Sequence, residues 1–438
     1  MYLGLDIGTT SICAVVLDDN GNIRYTVTKA NDCHMDSVGS ERTQDAEKIY
    51  SVCENIYAET QAKFNIESVG VSGQMHGILY VDKNGMAASP LYSWQDERGN
   101  LSYEKSTYAQ TLSQKSGYNM ATGFGCTSLY YDFVNRLIPQ NAFSFCTIGD
   151  YVAMRLAGSS EVLMNATNAA SLGLFDLKNS SWDYAAVEKL GMNVKLFPKV
   201  TVDVSEIGKN AHGISVFTAV GDNQASVYGA EQTDDSVIVN IGTGSQLSVI
   251  SNEYHTPPIG CEIRPYFNGK YIVLGCALCG GSSYRLLNNF FNSMFDGEEV
   301  ITYSKMNGWA KEALDKDLPT TNTFFRGTRA TPDLRASVVG LSEKNFNAKA
   351  LTLSVLKGIN RELKDFYDLI AVVTGPRGML IGSGNAIRMN PVLRDIIEND
   401  YGMRLNIPAH KEEAAFGAAL ISAEKFKNTG LKRFVKYE

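Results

Sequence analysis

Two short runs of glycine, threonine and serine, far apart in the chain, carry the strongest chemical signal. Asp6-Ile7-Gly8-Thr9-Thr10-Ser11 and Asn240-Ile241-Gly242-Thr243-Gly244-Ser245 match in residue type at nearly every position, and each lies between two apolar runs that read as strands. A strand ending in Asp-x-Gly-Thr-Thr gathers a carboxylate and several backbone N–H groups, which can hold a polyphosphate and, through water, a Mg²⁺ ion. The second turn offers the same amide and hydroxyl donors. Either turn alone is more often a plain hairpin; two together can pinch a triphosphate. Between them, Ala219-Val220-Gly221-Asp222-Asn223-Gln224 reads as an apolar strand that delivers Asp222 to the start of a helix. A carboxylate there suits a general base that takes a hydroxyl proton during phosphoryl transfer, although a lone Asp at such a junction is as often an N-cap. A third glycine turn, Ile381 to Asn385, could let a flat adenine lie on backbone, or be a tight strand-to-helix turn.

A second cluster mixes polar and aromatic residues in a way a core would not choose: Ser72-Gly73-Gln74-Met75-His76-Gly77 and Tyr92-Ser93-Trp94-Gln95-Asp96. A sugar suits this set, because an aromatic face covers its C–H side while amide, imidazole and carboxylate groups bind adjacent hydroxyls. Local charge is mixed, which favours a neutral polyol over a sugar phosphate. The other histidines, 34, 212, 255 and 410, show no ligand spacing with His76, and metal binding through histidine is not expected. Cys276 and Cys279 form a C-x-x-C without the second pair that a structural zinc site needs, and read as buried thiols.

These residues need a scaffold that brings distant turns together, and the chain is long enough for one. At 438 residues it exceeds a single core, so two domains and a cleft between them are expected. Tyr2 to Asp6, Ile12 to Leu17 and the run from Ile23 read as a strand meander. Ala46 to Tyr57 has helical spacing, and Ser68 to Ser72 reads as a strand. The matched turns suggest an internal duplication with a boundary near Gly213, giving domains 1–213 and 214–438. In the second half Met379 to Ile381 reads as a strand and Lys411 to Lys425 as an Ala-rich helix. A formal net charge of −7 disfavours a nucleic-acid groove. No apolar stretch approaches a membrane span or a signal peptide, and eight scattered cysteines are no disulfide framework, so a cytoplasmic protein is expected. Neither a P-loop nor a complete dinucleotide fingerprint is present.

Taken in order, Leu3–Ser11, Gly70–Gly77, Trp94–Arg98, Gly221–Ser226, Asn240–Ser245, Gly327–Asp333 and Gly382–Ala386 resemble the motifs of the FGGY carbohydrate kinases, members of the actin and hexokinase ATPase superfamily, over essentially the whole chain. The resemblance implies an α/β fold of two ribonuclease-H-like lobes with an interdomain cleft, and ATP-dependent transfer of the γ-phosphate to a terminal hydroxyl of a ketose. Gln74-Met75-His76-Gly77 is similar to xylulokinase-type members. Gly123–Thr127, Asp150–Met154 and Asn168–Ser171, with Trp94–Asp96, are similar to sedoheptulokinase-type members, which puts sedoheptulose ahead of a pentulose.

Carried over residue by residue, Asp222 is the base, and Asp6 and Asp222 neighbour Mg²⁺. Gly8, Thr9, Thr10, Gly242, Thr243 and Gly244 meet the ATP phosphates; Gly281, Arg285, Gly384, Asn385 and Arg388 surround the adenosine. Gln74, Met75, His76, Trp94, Gln95, Asp96, Asp222 and Asn223 line the sugar pocket. One position departs: many members carry Lys or Arg seven residues after the first Asp, and this chain has Cys13. Losing one charge-stabilising donor weakens transition-state stabilisation by a few kcal/mol, so a catalytically weak sugar sensor of the same fold is the competing reading. The implied partner is a small-molecule sugar, with no nucleic acid and no membrane; homodimerisation is left open.

Overall fold

Tyr2–Ile7 pairs antiparallel with Ser11–Leu17, which pairs antiparallel with Ile23–Ala30, as the meander requires. The middle strand is apolar along its length and buried, whereas the third alternates Arg, Tyr, Thr, Val, Thr and Lys and keeps one face wet, as suits a sheet edge. Helix Ala46–Lys63 follows, capped by the Asp45 side chain accepting from the Lys48 N–H, and it buries Ile49, Cys53, Ile56 and Tyr57. The chain then returns as Ser68–Gly73, parallel to Tyr2–Ile7 and buried at every position. In this computed structural model, which describes residues 1–36, 39–296, 298–314, 317–329 and 331–438, the chain forms two compact units. Ala330 of the Gly327–Asp333 motif lies outside the described residues.

The first unit holds Met1–Gln232, Arg264–Lys270 and His410–Val435. Its sheet runs Glu206–Lys209, Ser215–Phe217, Ser68–Gly73, Tyr2–Ile7, Ser11–Leu17, Ile23–Ala30, with the short strand Val220–Gly221 also parallel to Ser68–Gly73. The second unit holds Thr233–Ile263, Tyr271–Ala409 and Lys436–Glu438. There Tyr271–Ala277, Ser245–Ser251 and Ser236–Ile241 form an antiparallel meander, and Met379–Ser383 and Leu405–Asn406 continue it in parallel. Both units therefore set a parallel strand beside the first strand of a meander, the plan that the matched turns suggest.

Two expectations need correction. The change of unit falls at Gln232/Thr233 rather than at 213/214, so Asp222 belongs with Asp6 in the first unit. The Ala-rich helix, Glu413–Lys427, also belongs to the first unit, although it lies near the end of the chain. The reason is steric. Cβ atoms on Gly4 and Gly70, in adjacent strands, would overlap the carbonyl oxygens of Ala415 and Ala418, and a Cβ on Gly417 would overlap that of Ala225 in helix Asp222–Ala230. Only a small-residue face lets this helix approach the sheet and its helical neighbour so closely.

Candidate active site

Strand register lines up one row of side chains across the first sheet. Asp6 lies opposite Cys13 on one side and Ser72 on the other; Cys13 lies opposite Thr28, and Ser72 opposite Val220. Opposed residues share a face, and hydrogen bonds follow: Ser72 Oγ donates to Asp6 Oδ1 at 2.7 Å, and Thr28 Oγ1 to Cys13 Sγ at 3.5 Å. Two residues past Val220 the strand gives way to helix Asp222–Ala230, so Asp222 stands at the strand end as predicted.

Burial, and then the negative charge of Asp6, push the Asp222 carboxyl up to about 7, against the Asn223 N–H and the Arg264 guanidinium, which pull it down. A carboxyl titrating near neutrality is suited to accepting a proton. Burial likewise raises Asp6, opposed by Ser72 and supported by the charge of Glu412. At Cys13 the thiol is pushed up to about 12, chiefly by burial, and is neutral at ordinary pH. No group of three His, Cys, Asp or Glu among the described residues could hold a metal alone. Two mutually repelling carboxylates still fit Mg²⁺, which takes one or two carboxylates and completes its shell with water and phosphate oxygens.

Gln74 and Trp94, predicted to line the sugar pocket, form one network with Thr9, predicted to meet phosphate. Trp94 Nε1 donates to Thr9 Oγ1 at 2.9 Å, and Thr9 Oγ1 donates to Gln74 Oε1 at 3.2 Å. Gln74 Nε2 donates to Gln44 Oε1 at 2.8 Å, and Gln44 Nε2 returns to the Thr9 carbonyl at 3.0 Å. The Trp94 ring remains 46% exposed, free to cover a ligand face. His76 adopts a left-handed φ of 74°, stacks on Phe124 at 4.8 Å, and sets Nδ1 2.7 Å from the Ser171 carbonyl. A carbonyl only accepts, so Nδ1 carries the proton. Gln95 is exposed, Asn223 is partly buried, and Asn223 Oδ1 has no hydrogen-bond partner. Met75 is buried, with its sulfur close to the place a Cβ on Gly221 would take.

Asp96 does not present its carboxylate to a ligand. It is fully buried; Oδ1 accepts from Arg98 Nε at 2.7 Å, and Oδ2 accepts from the Arg42 N–H at 3.0 Å. Arg98 reaches on to Asp132 at 2.9 Å and stacks over the Tyr92 ring. The acid is thus an internal clasp between Arg98 and the Arg42 backbone.

In the second unit the glycine turns at 242–244 and 384 converge with a further pair, Gly280–Gly281. The Gly280 N–H donates to the Thr243 carbonyl at 3.0 Å and the Gly281 N–H to the Gly242 carbonyl at 2.8 Å. Gly384, at φ 88°, lies so close to Ile241 that a Cβ would meet its carbonyl oxygen at 2.5 Å. Helix Gly281–Asn292 has no side-chain cap, and the buried hydroxyls of Ser245, Ser282 and Ser283 have no partner. Uncapped N–H groups and orphaned hydroxyls suit phosphate, so these residues fit a nucleotide. Asn385 and Arg285 are exposed. Arg388 instead donates to the Pro408 carbonyl at 2.8 Å and pairs with Glu438 at 3.5 Å.

Gln44 carries no sequence signal of its own, and Ser171 only its place at the end of the Asn168–Ser171 motif. All eight cysteines are free, and Cys276, expected to be buried, is partly exposed, as is Cys261. No helix among the described residues is long and apolar enough to cross a membrane.

A family model described as the N-terminal domain of the FGGY family of carbohydrate kinases matches residues 1–233. The sedoheptulokinase of Mus musculus is 29% identical, with 97% of each chain covered. The xylulose kinase of Staphylococcus xylosus is 24% identical, covering 98% of this chain and 92% of its own. Among solved structures, the xylulose kinase from Rhodospirillum rubrum superposes with a TM-score of 0.85 at 17% identity, over 100% of this chain and 93% of that one.

Proposed function

The chain belongs to the FGGY family of carbohydrate kinases and is an ATP-dependent sugar phosphotransferase, and we propose that it phosphorylates a terminal hydroxyl of a ketose, sedoheptulose first, with Asp222 as the base. The observation that carries this reading is the placement of Asp222 at a strand end beside Asp6, with a carboxyl pushed up to about 7. Full-length similarity to sedoheptulokinase supports the choice of heptulose.

The roles divide between the units. In the first, Trp94 covers the C–H face of the sugar, and Gln74 and His76 bind hydroxyls, orienting the terminal one toward Asp222. The carboxylate takes that proton as the oxygen attacks the γ-phosphorus, and ADP leaves. In the second, the turns Gly242–Gly244 and Gly280–Gly281 hold the nucleotide phosphates, and Gly384 lets the adenosine lie on backbone. Mg²⁺, held by Asp6 and Asp222 through water, would neutralise phosphate charge. Asp96 shapes the sugar pocket through Arg98 without touching sugar. Free thiols and the need for ATP support a cytoplasmic location.

Coupled ADP release with sedoheptulose, D-xylulose, D-ribulose, L-ribulose and glycerol tests the reading. Sugar-dependent ADP strongest with sedoheptulose is expected; a pentulose preferred by kcat/KM reassigns the acceptor, and no sugar-dependent ADP with any of them defeats the proposal. Cys13 facing Asp6 favours one second reading, a sugar sensor of low turnover. Calorimetric binding of sugar and nucleotide without ADP release would select it.

A further inference from the structure

The strand that delivers Asp222 is two residues long, Val220–Gly221, and pairs with one neighbour, Ser68–Gly73. So short a ladder fixes little by itself. On either side of Val220, however, the backbone is held by side chains. The Gly221 N–H donates to Thr167 Oγ1 at 3.2 Å, and the Ala219 carbonyl accepts from Asn168 Nδ2 at 3.3 Å. Both holders are themselves oriented. Thr167 Oγ1 donates its hydrogen bond to Asn165 Oδ1 at 2.8 Å, which turns its lone pairs toward Gly221. Asn168 Nδ2 donates to Asp150 Oδ1 at 2.9 Å, while Asp150 Oδ2 accepts from Thr147 Oγ1 at 2.7 Å. Thr147, Asp150, Asn165, Thr167 and Asn168 are each at most 2% exposed. Two buried polar side chains thus hold the backbone that precedes Asp222, three more buried polar side chains orient those two, and none of the five has an evident role in binding a ligand.

We propose that Thr167 and Asn168 are positioning residues for Asp222: they clamp the chain across Val220 and so set where the carboxylate stands. The inference rests on the reading of Asp222 as the base. A general base works only within hydrogen-bond reach of its proton, and a misplacement of about 1 Å costs roughly 100-fold.

Thr167→Val keeps the shape of the side chain but removes the acceptor for the Gly221 N–H; Thr167→Ser keeps the hydroxyl. In the coupled assay, Thr167→Val is expected to lower kcat about 10- to 100-fold, with KM for sugar and ATP unchanged and with the parental rate recovered in Thr167→Ser. Parental kcat in Thr167→Val, a rise in KM alone, or equal losses in both variants overturns the clamp. If Thr167→Val fails to give the parental circular dichroism spectrum, Asn168→Ser is read by the same split between kcat and KM. Asp222→Asn separates the two ideas. Its retaining turnover removes the base assignment itself, whereas an inactive Asp222→Asn beside fully active clamp variants removes only the clamp.

Discussion

Ser72 donates a hydrogen bond from its hydroxyl to Asp6 across two parallel strands, at 2.7 Å. The bond keeps one carboxylate oxygen fixed and opposes the rise in pKa that burial imposes on Asp6. A hydrogen bond to a charged group contributes about 1.5–3 kcal/mol. Ser72→Ala is therefore expected to lower kcat by about tenfold or more, and to move the acid limb of the pH–rate profile to higher pH. Steady-state rates across pH check both; an unshifted limb with parental kcat contradicts the role of Ser72.

Asp222→Asn is expected to lower turnover by about 10²–10⁴-fold, the usual worth of a general base, while calorimetry finds nucleotide affinity preserved. The same variant gains stability. Asp222 titrates near 7 in the folded protein and near ~4 in an unfolded chain. The folded state thus holds a proton that the unfolded state has lost between those values, and the stability this contributes is complete below the lower one and lost as pH rises through the upper. Without divalent cations, Asp222→Asn should melt above the parent at about pH 8, and the gap should close near pH 4. Melting curves at both pH values test the sign.

Arg98 neutralises two buried acids at once, Asp96 at 2.7 Å and Asp132 at 2.9 Å. Arg98→Met leaves both without it and should cost about 3–5 kcal/mol, read from chemical denaturation. Asp132, whose carboxyl burial already pushes up to about 6 against the pull of Arg98, should take up a proton, so Arg98→Met with Asp132→Asn recovers part of the loss.

Gly70→Ala introduces a methyl group where the Ala418 carbonyl already lies. The helix must retreat from the sheet, at a cost of about 1–3 kcal/mol, visible as a lower urea midpoint. An unchanged midpoint would mean that the helix is not seated on Gly70.

Much of the site was legible because its residues advertise their chemistry locally: Asp6 and Asp222 each follow an apolar strand, and the turns at 8–10 and 242–244 repeat a composition. What stayed hidden depends on distant contacts. Gln44 occupies a two-residue strand with no motif around it, and gains its role only because Gln74 lies 2.8 Å away. Asp96 reads as a sugar ligand from its place beside Trp94; Arg98, two residues on, was the signal that the carboxylate turns inward. Chain order says nothing about a segment that returns, which is why the Ala-rich helix reads as part of the second unit, and glycines 4, 70 and 417 declare a docking face only once strands and helices lie side by side.

That returning helix sets a schedule for folding in the cell. Strands Tyr2–Ile7 and Ser68–Gly73 leave the ribosome some 340 residues before Glu413–Lys427 does, an interval of roughly 20 to 70 seconds at about 5–20 residues per second. Throughout it the glycine-faced side of the sheet stays uncovered on the nascent chain. A polypeptide released before that helix is made would leave that side sticky for good, which makes synthesis of the helix the moment at which the first unit becomes safe from aggregation.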